Sequence, residues 1–141
     1  MPSGSKHIWI SIAVLFIVNL IIILTTHITE LRLFCIMTNA YLFASFYLSP
    51  DLDIDSSVYH RWGVFKFLWW PYKKLCSHRG ISHHLLWGPL TILGTLLLIS
   101  SPVLLLLYTR DYDFNVTVIL FSVAVIIFSV EAHIVADKLR L

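Results

Sequence analysis

Seven residues of this 141-residue chain combine types and spacings that can hold metal ions: His7, Asp51, Asp53, His78, His83, His133 and Asp137. Pro50-Asp51-Leu52-Asp53 sets two carboxylates two residues apart, and in extended chain they point the same way. His133 and Asp137 are four apart, so on a helix they share a face and can bind one ion or orient each other. His78-Arg79-Gly80-Ile81-Ser82-His83 carries two His across a glycine, with Ser82 reading as an N-cap for the helix that follows. Imidazole plus carboxylate, with no required thiolate, suits Zn foremost, then Mn or Fe, ahead of Ca or Mg. Seven donors exceed one tetrahedral site. They would serve one or two ions and leave a position open for water, as catalytic metal sites do.

The elements that must position these residues are read from hydropathy. The chain is 58% hydrophobic and 13% charged, with a mean hydropathy of +0.83. Soluble domains carry about a quarter charged residues, so an ordinary soluble domain and a disordered chain are excluded. A net charge of +2 gives no reason to expect a nucleic-acid partner. A spanning helix needs about 20 mostly apolar residues. Four segments approach this: 8–24, 31–48, 85–108 and 115–136. The brief turns 25–30 and 109–114 make antiparallel neighbours. The expected fold is one all-α domain over 1–141, an integral membrane four-helix bundle, with a polar interfacial segment 49–84 between its second and third helices.

With four spans, both termini and the 49–84 segment share one side. That side holds Lys6, Arg61, Lys66, Lys73, Lys74, Arg79, Lys138 and Arg140; the other holds Arg32 and Arg110. The bias places the first set in the cytoplasm. All seven metal candidates then fall at span ends on the cytoplasmic side. The run after Lys6 resembles a signal-peptide core, but Thr25-Thr26-His27 offers no small-x-small cleavage site. From Tyr59 to Tyr72 the chain is rich in Trp, Phe, Tyr and Lys. Trp62, Phe65 and Trp69 fall on one face of a helix lying at the headgroup level and ended by Pro71, or else on a protein-packed loop.

Each candidate has a plainer reading. A single interfacial His7 can be solvated, Asp51 and Asp53 can be turn residues, and His133 with Asp137 can be a hydrogen-bonded pair. The His78–His83 run can be a basic headgroup contact. Their convergence at one depth favours a ligand cluster. Glu131 lies roughly opposite His133, His84 points away from His83, and His27 and His60 fall elsewhere. Cys76 reads as a packed thiol, and Cys35 and Cys76 form no framework.

His7, Pro50-Asp51-Leu52-Asp53, His78-Arg79-Gly80-x-Ser82-His83 and His133-x3-Asp137 together resemble the bacterial membrane-bound metal-dependent hydrolases, including the LexA-regulated inner-membrane group. Met1-Pro2-Ser3-Gly4-x-x-His7 and the Arg61-Trp62-Gly63 … Trp70-Pro71-Tyr72 segment are closer to a sister group of metal-binding membrane proteins. The resemblance implies a metal site built from these residues. Members often continue past the final Asp with a Thr/Pro/Gly-containing tail, whereas this sequence stops at Leu141. The expected activity is metal-dependent hydrolysis of a phosphoester-containing lipid or other interfacial substrate at the cytoplasmic leaflet. Asp51, Asp53 and Arg79 are the catalytic candidates, Arg79 as a bidentate anion holder. Lys73, Lys74 and Arg79 would attract anionic headgroups. The alternatives are a non-catalytic metal-binding membrane protein (a sensor, store or scaffold), a transporter, and a purely structural helix bundle. A transporter predicts polar residues at mid-bilayer, where Asn19, Asn39 and a few hydroxyls stand.

Overall fold

A computed structural model describes residues 4–25, 31–76 and 80–139, with the side chains of 8–24 in the first stretch. The described residues form helices and connecting turns without strands. The order is α1 (Gly4–Thr25), α2 (Leu31–Tyr47), a 3₁₀ turn (Pro50–Asp53), α3 (Ser57–Arg61), a 3₁₀ stretch (Gly63–Trp69), α4 (Trp70–Leu75), α5 (Trp87–Thr109) and α6 (Val116–Lys138).

Three helical stretches are long and apolar enough to cross a membrane: Leu31–Asp53, Trp87–Thr109 and Val116–Lys138. The last two have 23 residues each, about 34 Å at the α-helical rise, against a hydrocarbon thickness of about 30 Å. The apolar part of α1 among the described side chains, Ile8–Leu24, is shorter. A helix suits lipid because it satisfies its own backbone. Pro102 interrupts α5 and leaves the Leu98 carbonyl without its usual N–H partner. The neighbouring Ser101 hydroxyl donates to that carbonyl at 2.7 Å, so the helix continues through the proline.

Helix α2 packs most extensively on α6. Ala44 is fully buried, and Ser45 and Ser129 meet Oγ to Oγ at 2.9 Å. Small residues let helix backbones approach closely where lipid provides no hydrophobic drive. The main core lies at one end of the bundle. There Leu48, Leu52, Trp69, Tyr72, Ile92, Val130 and Ile134 close together, while Phe16, Leu98, Leu105 and Leu120 stay exposed along the helices.

The segment after α2 is joined to that core end. Arg61 Nη1 donates to the Phe46 carbonyl at 2.9 Å and Trp62 Nε1 to the Tyr47 carbonyl at 3.0 Å. These are carbonyls that the C-terminus of a helix leaves without intrahelical donors. The expected aromatic face is therefore split. Trp69 is completely buried, tilted against Trp62 and edge-to-face with Tyr72, whereas Phe65 is exposed with Val64, Phe67 and Trp70. Tertiary contacts rather than helix periodicity make the split: Trp62 Nε1 donates to the Tyr47 carbonyl and its ring packs against Tyr47 and Trp69, whereas Phe65, in the 3₁₀ stretch Gly63–Trp69, faces outward. Pro71 likewise does not end a helix. It sits in the first turn of α4, where its missing N–H costs no hydrogen bond.

Candidate metal cluster at the core end of the bundle

Ser49 opens the site. Its hydroxyl accepts from the Asp51 amide at 3.3 Å, and Pro50 follows at the first position of the turn. Cap and proline wind Pro50–Asp53 into a 3₁₀ turn. Residues two apart on such a turn diverge, unlike in the extended chain read from the sequence. Asp51 and Asp53 accordingly serve different partners. Asp51 Oδ1 lies 3.5 Å from His83 Nε2, and Asp51 Oδ2 lies 3.4 Å from His133 Nε2. Asp53 is buried, and its Oδ2 accepts from the Ser82 hydroxyl at 2.7 Å.

Helix α6 brings His133 and Asp137 to the cluster from one face. Asp137 Oδ2 is 3.7 Å from His83 Nε2, and His133 Nε2 also lies 3.3 Å from Ser49 Oγ. The imidazoles of His83 and His133 are 9% and 13% exposed and the carboxylates of Asp51 and Asp137 27% each. The cluster is therefore recessed but open to small solutes.

The turn carrying His83 is seated by a close backbone approach. A Cβ added to Gly88 would overlap the Ser82 carbonyl oxygen and stand 3.1 Å from Ile134 Cδ1. Only a glycine lets this turn lie against α5 and α6 together. Ser82 is not the N-cap expected from the sequence, because its hydroxyl is committed to Asp53. The start of α5 is served by His84, whose Nδ1 accepts from the amides of Leu86 at 3.2 Å and Trp87 at 3.4 Å. The N-cap position itself is Leu86, with no side-chain cap bond, so the residue types that signal a helix start are absent there.

The structure thus brings together Asp51, His83, His133 and Asp137, with Asp53 behind them through Ser82. His78 and Arg79 lie outside the described residues, as does the side chain of His7, whose backbone falls in the first turn of α1. His60 pairs instead with Asp55 at 3.2 Å on an exposed stretch. Lys73 is drawn to that same carboxylate at 3.9 Å and lies over the Tyr59 ring, which leaves Lys74, over Trp70, turned to a different neighbour. Cys76 is buried. Burial pushes its thiol above the ordinary value while the Thr91 hydroxyl pulls the other way, so it packs rather than reacts. Burial also pushes the nearby Tyr72 phenol well up, and the adjoining Cys76 and Asp53 add to the effect.

Among the described residues, no three His, Cys, Asp or Glu side chains form a closed group ready to hold a metal ion. The donor set nevertheless fits one in chemistry and in pair spacing. Charge-assisted hydrogen bonds between imidazole and carboxylate run about 2.7–2.9 Å, shorter than the 3.4, 3.5 and 3.7 Å found here. Two ligands of one tetrahedral ion, each about 2.0–2.2 Å from it, lie about 3.3–3.6 Å apart. The two separations from Asp51, 3.4 and 3.5 Å, fall within that range, and the 3.7 Å from Asp137 lies just above it. Asp51 directs one carboxylate oxygen toward each imidazole.

Fold and cluster define a protein whose described residues are helical, with three helical stretches long and apolar enough to cross a membrane and an imidazole–carboxylate cluster where they meet a polar segment. The family described as "uncharacterized metal-binding protein (DUF2227)" matches residues 2–139, and the chain belongs to it. Of the two groups that the sequence resembles, this description supports the metal-binding membrane group. An uncharacterized protein of Aquifex aeolicus (strain VF5) is 50% identical over 44 residues, which make up 30% of this chain and 31% of that relative. The matched stretch thus spans less than a third of the relative's length. No solved structure matches the chain.

Proposed function

We propose that the chain is a membrane-embedded, metal-dependent hydrolase. Its substrate is a phosphoester-containing lipid or another interfacial molecule at the cytoplasmic leaflet. The observation that carries the reading is Asp51 placed between the Nε2 atoms of His83 and His133, with Asp137 beside His83, at the end of a lipid-type helix bundle. Asp51, His83, His133 and Asp137 would hold the metal, with His7 and His78 as further ligands. Zn is the first expectation among Zn, Mn and Fe.

When bound, such an ion lowers the pKa of a bound water and polarises a phosphoryl oxygen. The chain's own residues do the rest. Asp51 and Asp137 present carboxylate oxygens within reach of a water proton at the cluster. Asp53 holds Ser82, which keeps the His83 turn in place. Arg79, next to His78, would take an anionic group bidentately. Lys66 and Lys74, among the exposed Val64, Phe65, Phe67 and Trp70, favour a surface of anionic headgroups.

Four crossings complete the reading, with α1 as the fourth and both termini cytoplasmic, on the eight-to-two division of Lys and Arg. The second reading, a metal-binding membrane protein without turnover, is favoured by the family description, which speaks of metal binding alone. The deciding experiment uses the full chain in nanodiscs containing labelled anionic phospholipids. Hydrolysis that stops on chelation, returns with Zn or Mn, and is absent in Asp51→Ala supports the hydrolase. Hydrolysis indifferent to both chelation and Asp51→Ala overturns it. Stoichiometric metal without turnover of any tested phosphoester selects the second reading.

A further inference from the structure

We propose that Asp53 and Ser82 are a positioning pair that sets which nitrogen of His83 faces the metal. The inference rests on the reading that the cluster holds a metal ion. It gives Asp53 a role different from the direct ligation that its spacing to Asp51 suggests.

The argument is one of proton accounting. Ser82 is completely buried and has one hydroxyl hydrogen, which it donates to Asp53 Oδ2 at 2.7 Å. Its oxygen also lies 3.2 Å from His83 Nδ1. With the hydroxyl hydrogen spent on Asp53, this second contact is a hydrogen bond only if Nδ1 carries the proton and donates. A neutral imidazole protonated at Nδ1 has its lone pair on Nε2. That nitrogen is the one 3.5 Å from Asp51 Oδ1 and 3.7 Å from Asp137 Oδ2. Nε2 is then the nitrogen that would meet a metal ion, beside the oxygens of Asp51 and Asp137.

Asp53–Ser82–His83 thus has the form of a carboxylate acting on a metal-ligating histidine, relayed through a hydroxyl. Such outer partners fix tautomer and ring orientation, and their loss typically costs about 10–100-fold in metal affinity. Asp53 does this by accepting a hydrogen bond, whereas a directly ligating carboxylate would also supply charge to the ion. The two roles therefore respond differently to an isosteric amide. The Asp53→Asn side chain can still accept from Ser82 through its carbonyl oxygen.

The test measures Zn affinity of the detergent-solubilised full chain by competition with a chromophoric chelator, with helicity of each variant checked by circular dichroism. The expected result is about a 10–100-fold loss in both Asp53→Ala and Ser82→Ala. The double variant should lose no more than either single one, since both break one relay. Asp53→Asn should stay within a few-fold of wild type. In the Zn-loaded protein, ¹⁵N-histidine NMR should show His83 protonated at Nδ1, with that signal altered in Ser82→Ala. Wild-type binding that falls equally in Asp53→Asn and Asp53→Ala, with Ser82→Ala unaffected, overturns the pair while leaving the metal reading intact. Absence of Zn uptake by the wild type overturns both. If Ser82→Ala fails to fold, the Asp53→Asn and Asp53→Ala comparison still decides.

Discussion

Replacing Gly88 with alanine puts two known effects in opposition, and the structure says which prevails. In a helix interior, Gly→Ala ordinarily stabilises by roughly 0.8–1 kcal/mol; Gly88 is the second residue of α5, so that gain is an upper bound here. At Gly88 the new Cβ overlaps the Ser82 carbonyl oxygen, and it stands 3.1 Å from Ile134 Cδ1 and 3.3 Å from the Ser82 carbonyl carbon. A backbone oxygen cannot swing aside as a flexible side chain would, so the whole turn carrying Ser82 and His83 must withdraw. Overpacking of this kind costs about 1–3 kcal/mol. The net is a destabilisation of up to about 3 kcal/mol. The same withdrawal carries Ser82 away from Asp53 and His83 away from Asp51, so metal affinity should fall about 10–100-fold. Gly94, on the same helix, is the control: a Cβ there meets nothing within 4 Å, so Gly94→Ala should keep metal affinity and match or exceed wild-type stability. The assays are thermal unfolding in detergent and Zn titration of the metal-free protein. A Gly88→Ala protein as stable as Gly94→Ala, binding Zn like the wild type, would refute the reasoning.

Other perturbations test other parts of the structure. Zn at 100 times its dissociation constant should stabilise the native chain by about 2.7 kcal/mol; the resulting rise in unfolding temperature should vanish on chelation and be lost in His133→Ala. Ser101→Ala leaves the Leu98 carbonyl beside Pro102 without its 2.7 Å donor, so it should cost about 0.5–1.5 kcal/mol, read by unfolding in detergent; the Ser101→Ala/Pro102→Ala double variant should recover it. Ser56 caps α3 by accepting from the Tyr59 amide at 3.2 Å, and it donates to the Asp51 carbonyl at 2.8 Å. Ser56→Ala should therefore lose about 1 kcal/mol, measured the same way. Brominated lipids should quench exposed Trp70 and spare buried Trp69, so Trp70→Phe should remove more lipid quenching than Trp69→Phe.

Much of this protein is legible in one dimension because long apolar runs obey a local rule. Long apolar runs must be helical to satisfy their own backbone, so the bounds expected for the third and fourth spans lie within two residues of α5 and α6. The i, i+4 spacing of His133 and Asp137 likewise survives folding, because helical periodicity is a property of the backbone alone. The short polar segment obeyed no such rule. Its hydrogen bonds go to partners distant in sequence: Arg61 and Trp62 to the end of α2, Ser82 to Asp53. Those partners decided that Asp51 and Asp53 diverge, that Trp69 is buried while Phe65 is not, and that the His84 ring rather than the Ser82 hydroxyl meets the first amides of α5. The sequence by itself determined the apolar helices and the donor types gathered at their ends. Only the tertiary structure decided which donor faces which, because a side chain's partner is set by where other elements bring their atoms.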